Sequence, residues 1–116
     1  MRVLAGILTA MAIAGCTENV SEFDAAVFRD AAARGDADEL TRQAYAAERQ
    51  QALVGLSRDR VHTLLGRRPD KVLRNVRLED WEVGLVNDTM GPGDQGYLTV
   101  EYDRSWRRVV RVEVTF

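Results

Sequence analysis

Cysteine and histidine, the residues best suited to nucleophilic or metal chemistry, each occur once in the sequence, at Cys16 and His62. A zinc site requires three or four ligands, usually drawn from these two residue types. His62 follows Val61 in a predicted helix and lies at the border of its apolar face. Ser57 and Asp59 are nearby, but a hydroxyl and a carboxylate there are typical of a helix N-terminus rather than of a catalytic triad. We therefore predict no catalytic residue, no metal site and no cofactor.

Carboxylates form two groups that could serve acid–base chemistry or calcium binding. The first stands at the predicted start of a strand, where solvated charges are ordinary, and comprises Glu79, Asp80 and Glu82. The second lies in a predicted loop and comprises Asn87, Asp88 and Asp94. This second group lacks the regular alternate spacing of calcium-binding loops. We expect neither group to bind a metal, and no small-molecule substrate site is evident.

Arginines are concentrated in two parts of the chain, Arg58, Arg60, Arg67 and Arg68 in the first and Arg104, Arg107, Arg108 and Arg111 in the second. Arginine suits contacts with carboxylates, phosphates and protein surfaces. Three roles fit this pattern: contact with anionic lipid headgroups, contact with an acidic partner, and surface solubility. Surface solubility is among them because acids are interleaved with the arginines. The net charge of −2 argues against nucleic acid. Residues expected to contact a partner are Arg67, Arg68, Asn87, Asp88, Met90, Arg107 and Arg108.

The first fifteen residues combine a positive charge, Arg2, with an apolar run that ends in small residues. This order is typical of a secretory signal, and the run is shorter than the roughly 20 apolar residues of a membrane-spanning helix. The sequence Ile13-Ala14-Gly15-Cys16 resembles the lipobox of bacterial lipoproteins. The resemblance implies removal of residues 1–15, lipidation of Cys16 and a short tether over residues 16–20. A buried N-terminal helix is the alternative, but the segment has almost no polar face.

Three helices are predicted in the first part of the remaining chain. The first covers residues 22–34, with Ser21 as N-cap and Gly35 as C-cap. The second covers residues 37–51. A short third helix follows the N-cap Ser57, has Val61, Leu64 and Leu65 on one face, and ends at Gly66.

Beyond Pro69 the apolar period changes from 3.6 to 2, which indicates strands. Alternating positions predict buried faces made by Trp81, Val83 and Leu85, by Leu98, Val100 and Tyr102, and by Val110, Val112, Val114 and Phe116. Residues 87–96 are predicted to form a loop, and residues 72–78 either an edge strand or a loop. We predict an α+β fold in a single domain over residues 21–116. Its N-terminal helices pack on a three- or four-stranded antiparallel sheet as a two-layer sandwich.

The block from residue 53 to residue 69 resembles the BamE/SmpA-like lipoproteins. The matching residues are Leu53, Gly55, Ser57, Val61, Leu64, Leu65, Gly66 and Pro69, followed by strands over residues 81–84 and 97–114. The resemblance implies two helices on a three-stranded antiparallel sheet, a scaffold shared with β-lactamase-inhibitor-like proteins. The chain departs from the pattern in three ways: two arginines before Pro69, an additional first helix, and Asp-Arg-Ser-Trp (103–106) where Asp-x-x-Gly is common.

Together these features predict a non-enzymatic lipoprotein anchored in the outer membrane and facing the periplasm. Thr17 follows Cys16 at a position where aspartate would signal inner-membrane retention in many bacteria. The domain is expected to bind a protein partner or act as a scaffold, through a sheet edge or the 87–96 loop, in outer-membrane assembly or maintenance. The alternative is an inhibitor of a periplasmic or cell-envelope enzyme.

Overall fold

The computed structural model describes residues 22–84 and 95–116. In these residues three α-helices precede the strands: α1 (Ala25–Arg34), α2 (Ala37–Gln50) and α3 (Arg58–Leu65). The strands are β1 (Lys71–Leu73), β2 (Leu78–Gly84), β3 (Gly96–Tyr102) and β4 (Val109–Thr115), with a short 3-10 helix (Arg74–Val76) between β1 and β2. They form one antiparallel sheet in the order β1-β2-β3-β4, against which the helices pack. The predicted α+β class is confirmed, and part of the 72–78 segment forms an edge strand.

The ends of the helices are set by side-chain caps. Ser57 accepts a hydrogen bond from the amide of Arg60 at 3.1 Å, and Gly66 ends α3 with a φ of 82°, both as predicted. The predicted start of the first helix was wrong. Asp24 is the N-cap of α1, because the amides of Phe23 and Asp24 donate to side chains of α2 and hold this segment extended. Ser21 lies outside the described residues.

The core lies between the helices and one face of the sheet. Its large, fully buried side chains include Phe28, Leu53, Leu65, Trp81, Leu98 and Tyr102. Helix α2 contributes small residues, Ala44, Ala46 and Ala47, which let it approach the sheet closely. The predicted inward faces of β2 and β3 are confirmed over the described residues, while Leu85 lies outside them.

The predicted face of the last strand was wrong at two positions. Glu101 pairs with Arg111, whereas Tyr102 pairs with Val109, so β4 carries one extra residue at this point. Such a bulge shifts the alternation of inward and outward side chains by one residue. Val109 therefore enters the core, while Val110 is 49% exposed. At the end of the chain, Phe116 is 59% exposed.

The two edges of the sheet differ in how they are covered. The side-chain amide of Gln51 donates to the carbonyl of Val112 at 2.8 Å and accepts from its N–H at 3.1 Å. Glu48 accepts from the amide of Val114 at 3.0 Å. Glu48 of α2 and Gln51, which follows α2, thus form hydrogen bonds with the backbone along the outer edge of β4. The opposite edge strand, β1, is exposed over all three of its residues.

Candidate functional site

The carboxylate of Glu79 forms the centre of a polar cluster on the helix-facing side of the sheet. Glu79 lies on β2 two residues before Trp81, so both side chains point toward the helices. The side chain of Glu79 has no exposed surface. The prediction of solvated acids at this strand start was therefore wrong for Glu79, and also for Asp80, which is buried and accepts from the Thr99 hydroxyl at 2.7 Å. It was correct for Glu82, which is exposed.

Three side chains donate four hydrogen bonds to the Glu79 carboxylate. Arg58 approaches Oε2 with Nε at 3.2 Å and Nη2 at 2.7 Å. His62 Nε2 and the Tyr102 hydroxyl each lie 2.8 Å from Oε1. Arg58 and His62 are four residues apart on α3 and therefore share one face of the helix. The cluster joins α3, β2 and β3 through one buried negative charge.

This arrangement keeps Glu79 ionised. Burial alone raises the pKa of Glu79, but hydrogen bonds from His62, Arg58 and Tyr102 outweigh burial and hold its pKa below the usual range. Burial, and then the hydrogen bond to Glu79, raise the pKa of Tyr102 well above its ordinary value. A carboxylate offers about four acceptor positions, and here four hydrogen bonds fill them. Glu79 thus accepts hydrogen bonds at both carboxylate oxygens and orients its three donor side chains.

Aromatic rings extend the cluster to the turn between β3 and β4. The rings of Tyr102 and Trp106 stack with centroids 5.6 Å apart and planes at 26°. The Arg58 guanidinium carbon lies 4.8 Å from the centre of the Trp106 ring, within cation–π distance. His62 meets the buried Trp81 edge-on at 5.8 Å. Arg58 is therefore held on one side by a carboxylate and on the other by an indole.

Trp106 has a left-handed backbone conformation, with φ of +63°. It occupies the position at which an Asp-x-x-Gly turn would have glycine, and a bulky residue there is strained. Asp103 organises the turn, because Oδ1 accepts from the amides of Ser105 at 3.1 Å and Arg107 at 2.9 Å. The unusual Asp-Arg-Ser-Trp sequence thus corresponds to a turn that holds an aromatic ring against Arg58.

Two adjoining surface depressions surround Arg58, with volumes of about 360 and 350 Å³. They share Arg58 and Asp59, and together we call them the arginine groove. One half is also lined by Ser57, Trp106, Arg107 and Arg108, and the other by His62, Arg68, Pro69, Val72 and Glu79. The fold thus brings Arg58 and Arg68 of the first arginine-rich part and Arg107 and Arg108 of the second to one surface.

The structure places only some of the residues predicted to contact a partner in the arginine groove. Arg68, Arg107 and Arg108 are exposed and line the arginine groove. Arg67 does not join them, because its guanidinium donates to Asp70 at 3.1 Å and to the carbonyl of Glu82 at 2.9 Å. Asn87, Asp88 and Met90 lie outside the described residues, as do Cys16 and the rest of the lipobox.

Sequence reasoning missed Glu79 and Tyr102 as members of a site. The sequence pattern indicates that Glu79 is buried, because it faces the same side of its strand as the apolar Trp81 and Val83. An acid on that face must be buried and therefore paired. The i, i+4 spacing of Arg58 and His62 on the adjacent helix offered the matching donors.

Within residues 22–84 and 95–116, no group of three or more His, Cys, Asp or Glu side chains is arranged to hold a metal ion. In the same residues no helix has the length and apolar character needed to cross a membrane. Comparison with models of protein families, with curated proteins and with solved structures finds no match. The likeness to BamE/SmpA-like lipoproteins therefore stays a prediction from the sequence.

Proposed function

We propose that this protein is a lipid-anchored protein of the bacterial envelope whose folded domain binds another protein through the arginine groove. The observation that carries the proposal is the ordered contact of Arg58 with the Trp106 ring beside the exposed Arg107 and Arg108. Tryptophan and arginine are the side chains most enriched at the energetic centres of protein interfaces. Their fixed geometry lowers the entropy lost on binding.

The strained backbone at Trp106 supports the same proposal. A non-glycine residue with a left-handed backbone costs of order 1–3 kcal/mol, and such strain concentrates at functional sites. Here the strained residue lies on the groove wall instead of deep in the core. The saturated hydrogen bonding of Glu79 further favours a positioning role over acid–base chemistry.

The membrane anchor is proposed from the sequence. Cys16 ends an apolar run in a lipobox-like tetrapeptide, and two acyl chains suffice for stable anchoring. The residue after Cys16 is Thr17 and not aspartate, which favours anchoring in the outer membrane. We propose that the domain faces the periplasm there and serves assembly or maintenance of the envelope.

The proposal is tested by affinity capture with the tagged full-length chain from detergent-solubilised envelopes. We expect a defined envelope protein to be retained, and the Cys16→Ala variant to leave the membrane fraction. Capture of one hydrolase whose activity falls on binding would instead identify an inhibitor. A variant that still fractionates with membranes like the parent would contradict the anchor, and absence of any retained protein would contradict the binding role.

A further inference from the structure

The arginine groove carries guanidinium groups that the described part of the fold leaves without counter-charge. Arg34, Arg58, Arg67 and Arg111 each form an ion pair with a carboxylate of the chain. Arg68, Arg107 and Arg108 form no ion pair with any residue in 22–84 and 95–116. All three line the groove, and Arg108 also donates to the carbonyl of Gly55 at 3.3 Å. Asp59 is the exposed acid among the lining residues, and the buried Glu79 is fully engaged.

We infer that the groove binds an acidic extended segment of the protein partner, an inference that rests on the proposed function. Guanidinium groups bind carboxylates through paired, charge-assisted hydrogen bonds. Arg58 contributes an ordered donor, since Nε and Nη2 are used by Glu79 while Nη1 makes no hydrogen bond to a described residue. The unpaired arginines at either end then contact successive carboxylates along the segment.

The shape of the groove favours a peptide over a lipid surface. The unpaired guanidinium groups line two surface depressions, which give a protruding chain more contact than they give a flat bilayer surface. The Trp106 ring is stacked on Tyr102 and covered by Arg58, so it is not free to insert among lipids. Val72, which is 39% exposed on the groove wall, adds an apolar contact suited to a side chain.

The test measures binding of a fluorescent peptide of alternating glutamate and serine to the full-length chain in detergent, by anisotropy. A peptide with glutamine in place of glutamate is the matched probe. We expect the glutamate peptide alone to bind, with an affinity that falls as ionic strength rises. Arg107→Gln combined with Arg108→Gln should weaken binding about ten-fold or more, and Arg68→Gln should weaken it separately.

The control is Arg60→Gln combined with Arg74→Gln, which removes the same charge from exposed positions outside the groove. We expect it to change the affinity less than about two-fold. Equal weakening by groove and control variants would overturn the inference, as would failure of the glutamate peptide to bind the parent. If the groove variant loses the captured envelope partner but the glutamate peptide does not bind the parent, the inference fails while the proposed function stands. If envelope capture retains a partner equally well with the groove variant, both fail. If nothing is captured, the proposed function itself fails.

Discussion

The hydroxyl of Tyr102 donates a hydrogen bond of 2.8 Å to Oε1 of Glu79, which has no exposed surface. This bond joins β3 to β2 in the interior, and the same carboxylate anchors Arg58 and His62 of α3. One buried charge thus fixes the helix that forms a wall of the arginine groove. Burying a carboxylate is costly unless donors replace its water, and here four hydrogen bonds do so. The site and the stability of the fold therefore depend on the same residue.

Replacement Glu79→Gln is expected to destabilise the protein by about 3 kcal/mol, because the amide cannot accept four hydrogen bonds and leaves Arg58 without its counter-charge. Urea unfolding followed by circular dichroism measures the loss. Tyr102→Phe removes one of the four donors and should cost about 1.5 kcal/mol. If Glu79→Gln lowers the free energy of unfolding by less than Tyr102→Phe does, the cluster does not depend on the charge.

The stability that Glu79 contributes should depend on pH in the acid range. Its pKa is lower in the folded chain than the ordinary value of 4.5, so the folded state holds the ionised form more strongly than the unfolded state does. This contribution is fully present above pH 4.5 and is lost as pH falls through the folded pKa. The difference in unfolding free energy between the parent and Glu79→Gln should therefore shrink below pH 4.5. A difference that stays constant down to complete acid unfolding would contradict the pKa shift.

Trp106 offers a test of backbone strain. Glycine tolerates its φ of +63° without cost, whereas alanine carries the same strain as the native residue. We expect Trp106→Gly to be more stable than Trp106→Ala by about 1 kcal/mol, although glycine normally costs stability. Thermal unfolding of the two variants gives the comparison. The opposite order would indicate that the turn relaxes once the ring is removed.

Gln51 is expected to protect the β4 edge. Gln51→Asn suits the left-handed backbone at this position, with φ of 49°, but its side chain is too short to reach Val112. It should therefore lower stability by about 1 kcal/mol and promote self-association through the uncovered edge. Sedimentation measures the association. A variant as stable and monomeric as the parent would show that the amide contacts do not matter.

Local chemistry made part of the fold predictable. Ser57 and Gly66 bound α3 because a hydroxyl cap and a left-handed glycine act within one helical turn. The start of α1 could not be predicted in the same way, since Gln43 and Gln50 of another helix hold the preceding residues extended. The exposure of Val110 likewise depends on a bulge set by pairing with β3.

The candidate site was less predictable than the fold. The arginines were recognised by residue type, but their meeting at one groove depends on how the 103–108 turn packs on α3. Glu79 was assigned to solvent because its donors lie 17 to 23 residues away along the chain. Trp106 stood out as a departure from Asp-x-x-Gly, and the contact that gives it a role, with Arg58, is tertiary.

Site-specific photo-crosslinking in intact cells tests the binding role of the arginine groove most directly. Arg107→p-benzoylphenylalanine places the reactive group on the groove wall, and Arg74→p-benzoylphenylalanine places it on an exposed position outside the groove. We predict a discrete adduct with one envelope protein from position 107 and none from position 74. The same adducts from both positions, an adduct from position 74 alone, or none from either would contradict the proposal that this groove is where the protein binds its partner.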